Sequence, residues 1–145
     1  MFDPVAVEGF EQGGRAYAIV AASDSNGIQI MDITDPATPL PVSAVFDDTG
    51  GFATLNGPGD VEVFEQGGRA YAIVTSWQDN GVQIMDITDP AAPSPVSAVF
   101  GDPYGFITMH GLEVVEVFES EGRAYAVVTG GIGTHTIDIT QPAVP

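Results

Sequence analysis

The chain has no cysteine and no lysine, and its 145 residues include only three arginines and two histidines. Without cysteine there is no disulfide, no thiolate metal site and no cysteine nucleophile. Without lysine, twenty carboxylates face three guanidinium groups, and the formal net charge is −17. A field of that sign keeps the protein in solution, attracts cations and repels nucleic acid and anionic lipid; nucleic acid is not an expected partner. No apolar run approaches the roughly 18 residues of a membrane span. No segment sustains a 3.6-residue apolar rhythm, so helix is not expected. No leader is expected ahead of the first unit, since Met1-Phe2-Asp3-Pro4 runs straight into it. The chain as written is therefore expected to be cytoplasmic, or a processed or excised piece of something longer. What remains is a globular balance, 44% hydrophobic against 16% charged residues, long enough for one ordinary core.

The positive content is a repeat. Glu11-Gln-Gly-Gly-Arg-Ala-Tyr-Ala-Ile-Val20 returns as Glu65 to Val74, and with small changes as Glu119 to Val128. The three arginines, Arg15, Arg69 and Arg123, stand 54 residues apart and open the same segment each time. A fixed period of this length marks a repeat architecture built from one supersecondary unit. Within a unit the signals are all β. Val5 to Phe10 reads as a first strand, and Gly13-Gly14 as a turn able to take positive φ. Arg15 to Ala22 is a second strand, apolar on both sides in the manner of a strand covered on both faces. An Asn26-Gly27 turn leads to Ile28–Ile33, and Pro41–Phe46 is a fourth strand with proline at its start. Glycine-rich connectors follow, Asp47–Gly59 and Gly101–Leu112.

Four short antiparallel strands and then a crossing to the next unit is the pattern of a β-propeller blade. The expectation is one all-β repeat domain over residues 1–145, with blades at about 4–57, 58–111 and 112–145. The last blade ends just after its third strand and lacks its fourth. Three blades do not close a ring, and an unfinished blade leaves a row of unpaired backbone groups. The partner expected on these grounds is a second copy, which gives a closed ring or a head-to-tail filament.

The third strand running into Asp-Ile-Thr-Asp-Pro, at Asp32–Pro36 and Asp86–Pro90, together with Arg-Ala-Tyr-Ala-Ile-Val and Pro-Val-Ser-Ala-Val, resembles the LVIVD-type β-propeller repeat. That resemblance implies four-stranded blades and an extracellular or cell-surface location. It implies no catalytic set and no cofactor. Unit three departs from it: Gly130-Gly-Ile-Gly133 stands for Ser76-Trp-Gln-Asp-Asn-Gly81, and Gln141 replaces an aspartate.

Candidate chemistry is sparse. Arg15, Arg69 and Arg123 are read as structural, each pairing with a carboxylate of its own or a neighbouring blade. Tyr17, Tyr71 and Tyr125 lie two residues on, on the same strand face, and are read as packing between blades. Asp32, Asp86 and Asp138 are expected to hold turn amides rather than act as acids. Asp24, Asn26, Asp79 and Asn80 gather hard oxygen ligands, but no calcium loop with its distant glutamate is complete, and Asx-Gly is what a tight turn needs; no metal site is assigned. His110 and His135 are not at equivalent positions, and no serine or threonine sits in a nucleophile pattern, so no catalytic residue is assigned. Trp77 and Tyr104 are the candidates for stacking on a glycan. The leading reading is a non-catalytic, extracellular, structural or adhesive repeat protein that self-associates. The alternatives are a propeller module binding glycan or Ca2+, and a fragment of a longer surface protein.

Overall fold

The computed structural model describes residues 2–101, 111–131 and 133–145. Eleven strands make up the regular structure of these residues, and no helix occurs among them. Blade 1 is the antiparallel meander β1 (Pro4–Gln12), β2 (Arg15–Ala22), β3 (Gly27–Asp32) and β4 (Leu40–Phe46). Blade 2 repeats it as β5 (Pro58–Gln66), β6 (Arg69–Ser76), β7 (Gly81–Asp86) and β8 (Ser94–Phe100). Blade 3 has three strands, β9 (Leu112–Ser120), β10 (Arg123–Gly130) and β11 (Gly133–Asp138), so β11 is a sheet edge.

Local chemistry sets these boundaries. The β1–β2 and β5–β6 hairpins turn on Gly13-Gly14 and Gly67-Gly68, all at positive φ. The next turns place Asn26 and Asn80 in the left-handed region, which a short amide side chain tolerates. In each blade the pairing of strands one and two is regular from the arginine at the turn inward and shifts at its far end; in blades 1 and 2 a second shift lies between strands three and four. This second shift falls where Pro41 and Pro95 stand opposite Met31 and Met85. Proline has no N–H to give the ladder, so the irregularity sits where it disturbs least.

The blades stack through their first strands, with β5 against β1 and β2, and β9 against β5 and β6. Each seam holds its own core. Ile19, Ala21, Ile28 and Ile30 of blade 1 meet Val61, Ala72, Val74 and Met85 of blade 2, with Phe52 and Leu55 of the connector sealing one end. Phe64, Ile73, Val82 and Ile84 then meet Leu112, Val115, Ala126 and Val128 of blade 3. Fully burying each aliphatic side chain of this size stabilises by about 1.5–3 kcal/mol. Blade 2 is covered on both faces, and every residue of β7 is buried. The expectation that the second strand is covered on both sides holds for β6 and fails for β2. One side of β2 has no neighbouring blade, and Ala16, Ala18 and Val20 are only half-buried.

Candidate functional site: latches, seams and an inner acidic column

The arginines close their own blades. Arg15 Nε donates to Asp32 Oδ2 at 2.8 Å and a second guanidinium nitrogen pairs with the same oxygen. Arg69 grips Asp86 Oδ2 with Nε and Nη2, both at 2.6 Å. Arg123 pairs with Asp138 in the same way through Nη2. The other carboxylate oxygen accepts the amide of Thr34, Thr88 or Thr140, at 2.9, 2.9 and 3.0 Å. Each threonine hydroxyl in turn accepts the amide of Ala16, Ala70 or Ala124 at 3.0–3.1 Å. The latch thus ties the start of the second strand to the end of the third. The arginines meet carboxylates of their own blade, and these aspartates hold turn amides.

Titration follows from the latch. Hydrogen bonds from the Thr34 side chain and amide, and then from Arg15, hold Asp32 down at about 2. Burial pushes Asp86 up, but bonds from Thr88 and Arg69 outweigh it and its pKa is lowered. Asp138 is lowered through Thr140 first and Arg123 after. The third latch is the most open: the Asp138 side chain is 36% exposed, against 10% and 11% for Asp32 and Asp86.

The tyrosines stack within their own blades. Tyr17, Tyr71 and Tyr125 stack on Phe10, Phe64 and Phe118 of the same blade, with ring centroids 5.4 Å apart. Tyr17 and Tyr71 also pack against the seam cores. The Asx residues of the turns serve the seams as well. Asn26 Oδ1 accepts the Gly57 amide at 2.9 Å, and Asn80 Oδ1 accepts the Gly111 amide at 3.1 Å. Asp79 Oδ2 accepts the Asn56 amide at 2.9 Å, and burial raises its pKa. Asp24 is exposed on the first of these turns. No group of three or more His, Asp or Glu side chains placed to hold a metal ion occurs among the described residues.

Trp77, 48% exposed, lies over the connector: its amide donates to the Gly57 carbonyl at 3.0 Å. Gly57 is at φ +66°, and a Cβ there would lie 2.5 Å from Trp77 Nε1. Tyr104 and His110 lie outside the described residues, so no pairing of Trp77 with Tyr104 is defined. His135 stands in β11 opposite Val128.

Two features escaped the reading of the sequence. One is a column of glutamates, Glu8, Glu62 and Glu116, at the same 54-residue step on the adjacent first strands. Burial, then repulsion from Glu8, Glu116 and Asp60, pushes Glu62 up to about 7. The repeat spacing contains this column, but the sequence does not show that the first strands lie side by side. The other is the side of blade 1 that faces away from blade 2. Its residues Val7, Ala16, Ala18, Val20, Met31 and Ile33 are the same, position for position, as Val61, Ala70, Ala72, Val74, Met85 and Ile87. Those six are buried in blade 2; in blade 1 none is, and Val7 is 65% exposed against 1% for Val61.

Meander sheets stacked through their first strands, latched identically at a 54-residue interval, define a repeat protein of β-propeller type. The LVIVD repeat family matches residues 14–46 and 67–100, so blades 1 and 2 each carry an LVIVD-type repeat within a chain of β-propeller-type fold. Among solved structures it is similar to a GH32 beta-fructofuranosidase from Bombyx mori, with 13% identity and a TM-score of 0.54. That likeness covers 87% of this chain and 29% of the other, and it bears on fold alone. No curated protein matches the chain.

Proposed function

We propose that this chain is a non-catalytic structural or adhesive module of the extracellular or cell-surface type, which self-associates through its unfinished third blade. The observation that carries the reading is the edge position of β11, where blades 1 and 2 each have a fourth strand. An uncovered strand presents a ladder of N–H and C=O groups that an added strand satisfies. Consistent with this, the outer side of the third blade holds an opening of about 450 Å3 lined by Arg123, Asp138, Thr140, Gln141, Val144 and Pro145. The absence of catalysis is supported by how the displaced carboxyls are used. Asp32, Asp86 and Asp138 are tied into latches, and Glu62 is stacked against like charge. An acidic, lysine-free composition suits a solvated surface outside the cell.

Light scattering on the purified chain tests the reading. A discrete dimer or longer polymers are expected, with association lost when proline replaces Thr136 on the edge strand. A monomer across the micromolar range would overturn it.

A further inference from the structure

We propose that the open side of blade 1 is a docking surface for one more four-stranded blade of the blade 1 type, bringing with it the connector that follows such a blade. This concerns the opposite end of the molecule from β11 and does not depend on the self-association described above.

The two seams inside the molecule show what such a side is built to receive. Besides the six apolar residues shared by blades 1 and 2, each seam has the same polar fastening. Ser43 on the fourth strand of blade 1 donates to the Pro90 carbonyl at 2.6 Å, and Ser97 of blade 2 donates to the Pro142 carbonyl at 2.5 Å. Pro90 and Pro142 are buried under the blade that precedes them. The equivalent acceptor on blade 1 is Pro36, and it is exposed.

The connector has a seat too. Residues 47–57 cross from blade 1 onto blade 2, where the Ala53 amide and Thr54 hydroxyl both donate to Gln83 Oε1, at 3.1 and 3.2 Å. Thr54, Leu55 and Gln83 are buried by that contact. The matching residue of blade 1 is Gln29, and it lines an opening of about 210 Å3 with Phe2, Ser25, Ala44 and Phe46. Blade 1 thus carries the apolar face, the carbonyl and the glutamine seat that blade 2 uses.

The chemistry also selects the occupant. The face that meets a blade of this kind carries Ile19, Ile28 and Ile30 in blade 1 and Ile73, Val82 and Ile84 in blade 2. In blade 3 the same positions are Val127, Thr134 and Thr136, and there is no fourth strand to supply a serine. The third blade of a second copy lacks both halves of the match, whereas a blade like the first has them.

The test is a tandem extension in which residues 4–57 are duplicated ahead of Pro4. The junction Gly57–Pro4 then repeats the natural junction Gly57–Pro58, so register is kept. The extended chain is expected to melt at least about 5 °C higher than the parent, and the added segment to resist protease as the parent does. Val7→Glu supplies the second readout. In the parent it shifts Tm by less than about 2 °C, because the side chain is mostly in solvent. At the second copy of that position in the extended chain it must be as damaging as Val61→Glu. An unchanged Tm with a protease-sensitive added segment would overturn the proposal. So would self-association of the parent that Val7→Glu abolishes, because a second copy would then occupy this face.

Discussion

Blades 1 and 2 are nearly the same sequence in two different surroundings. Met31 and Met85, Val7 and Val61, Gln29 and Gln83 are chemically identical pairs, yet the second member of each is buried and the first is not. Strand identity, turn geometry and the latch are the same in both, because they depend on contacts within the unit. Burial differs because it depends on a neighbour. The comparison separates two layers of stability in one chain: hairpins and latches belong to each blade, and the hydrophobic term belongs to the seams.

The sharpest test of that division is a matched pair of core truncations. Met85→Ala removes a fully buried side chain from the seam and is expected to cost about 2–5 kcal/mol. Met31→Ala removes the same atoms from a half-open face and should cost less than half as much in urea unfolding. Equal costs would show that blade 1 is covered in solution.

A smaller effect is expected at the connector. Gly57→Ala forces a Cβ into Trp77 at a backbone conformation that L residues avoid, at about 1–3 kcal/mol. Gly13→Ala, also at positive φ but with open space around it, should cost about 1 kcal/mol. If thermal melts rank the two the other way, the connector is not clamped onto blade 2.

The latches give a finer contrast. Asp86→Asn replaces a covered carboxylate by an amide and leaves Arg69 without its charge partner, and a loss of about 1–2 kcal/mol is expected. Asp138→Asn, in the exposed third latch, should cost less, because solvent screens that pair. Chemical denaturation of the two variants side by side measures the difference.

The smallest effect is in pH dependence, where two sets of carboxyls oppose each other. Asp32, with its folded pKa held at about 2, contributes stability above its ordinary value of 3.8 that is lost as pH falls towards 2. Glu62 works the other way. Its folded pKa of about 7 lies above the ordinary 4.5, so the folded state holds the proton more tightly and stability declines as pH rises from about 4.5 to 7. Tm should therefore peak on the acid side of neutrality, near pH 4–5. Glu62→Gln should flatten the decline above that peak, while Glu116→Gln, on an exposed residue of blade 3, does so less. A Tm that climbs steadily to pH 8 in both variants and parent would remove the glutamate column from the account.

Much of the architecture was legible in the residues. The 54-residue step, the Gly-Gly and Asn-Gly turns and the β-branched strands place all eleven strands, since each depends on chemistry within a dozen residues. The pairing of Arg15 with Asp32 was legible as a kind of contact, and its confinement to one blade was not. That confinement depends on register, which puts Tyr17 opposite Asp32 and so brings Arg15 to the end of the third strand. The glutamate column was hidden for another reason. Its three members are 54 residues apart in sequence and come together only because first strands lie side by side. The open side of blade 1 was beyond reach altogether, because its residues are the same as those of a buried face.

The latch has a further consequence for how such a chain is written. Each guanidinium settles its charge inside its own unit, and the seams between blades 1, 2 and 3 repeat the same apolar face, serine and proline carbonyl, so one unit of the blade 1 type can stand in for another at a seam. A copied segment inherits a complete set of internal contacts, and the charge it adds beside its neighbour is one more glutamate of the column. The exceptions are what fix the order. Asp60, standing where the first unit has Ala6, accepts the Val115 amide at 3.0 Å from the unit that follows. That carboxylate is an address label that the first unit does not carry.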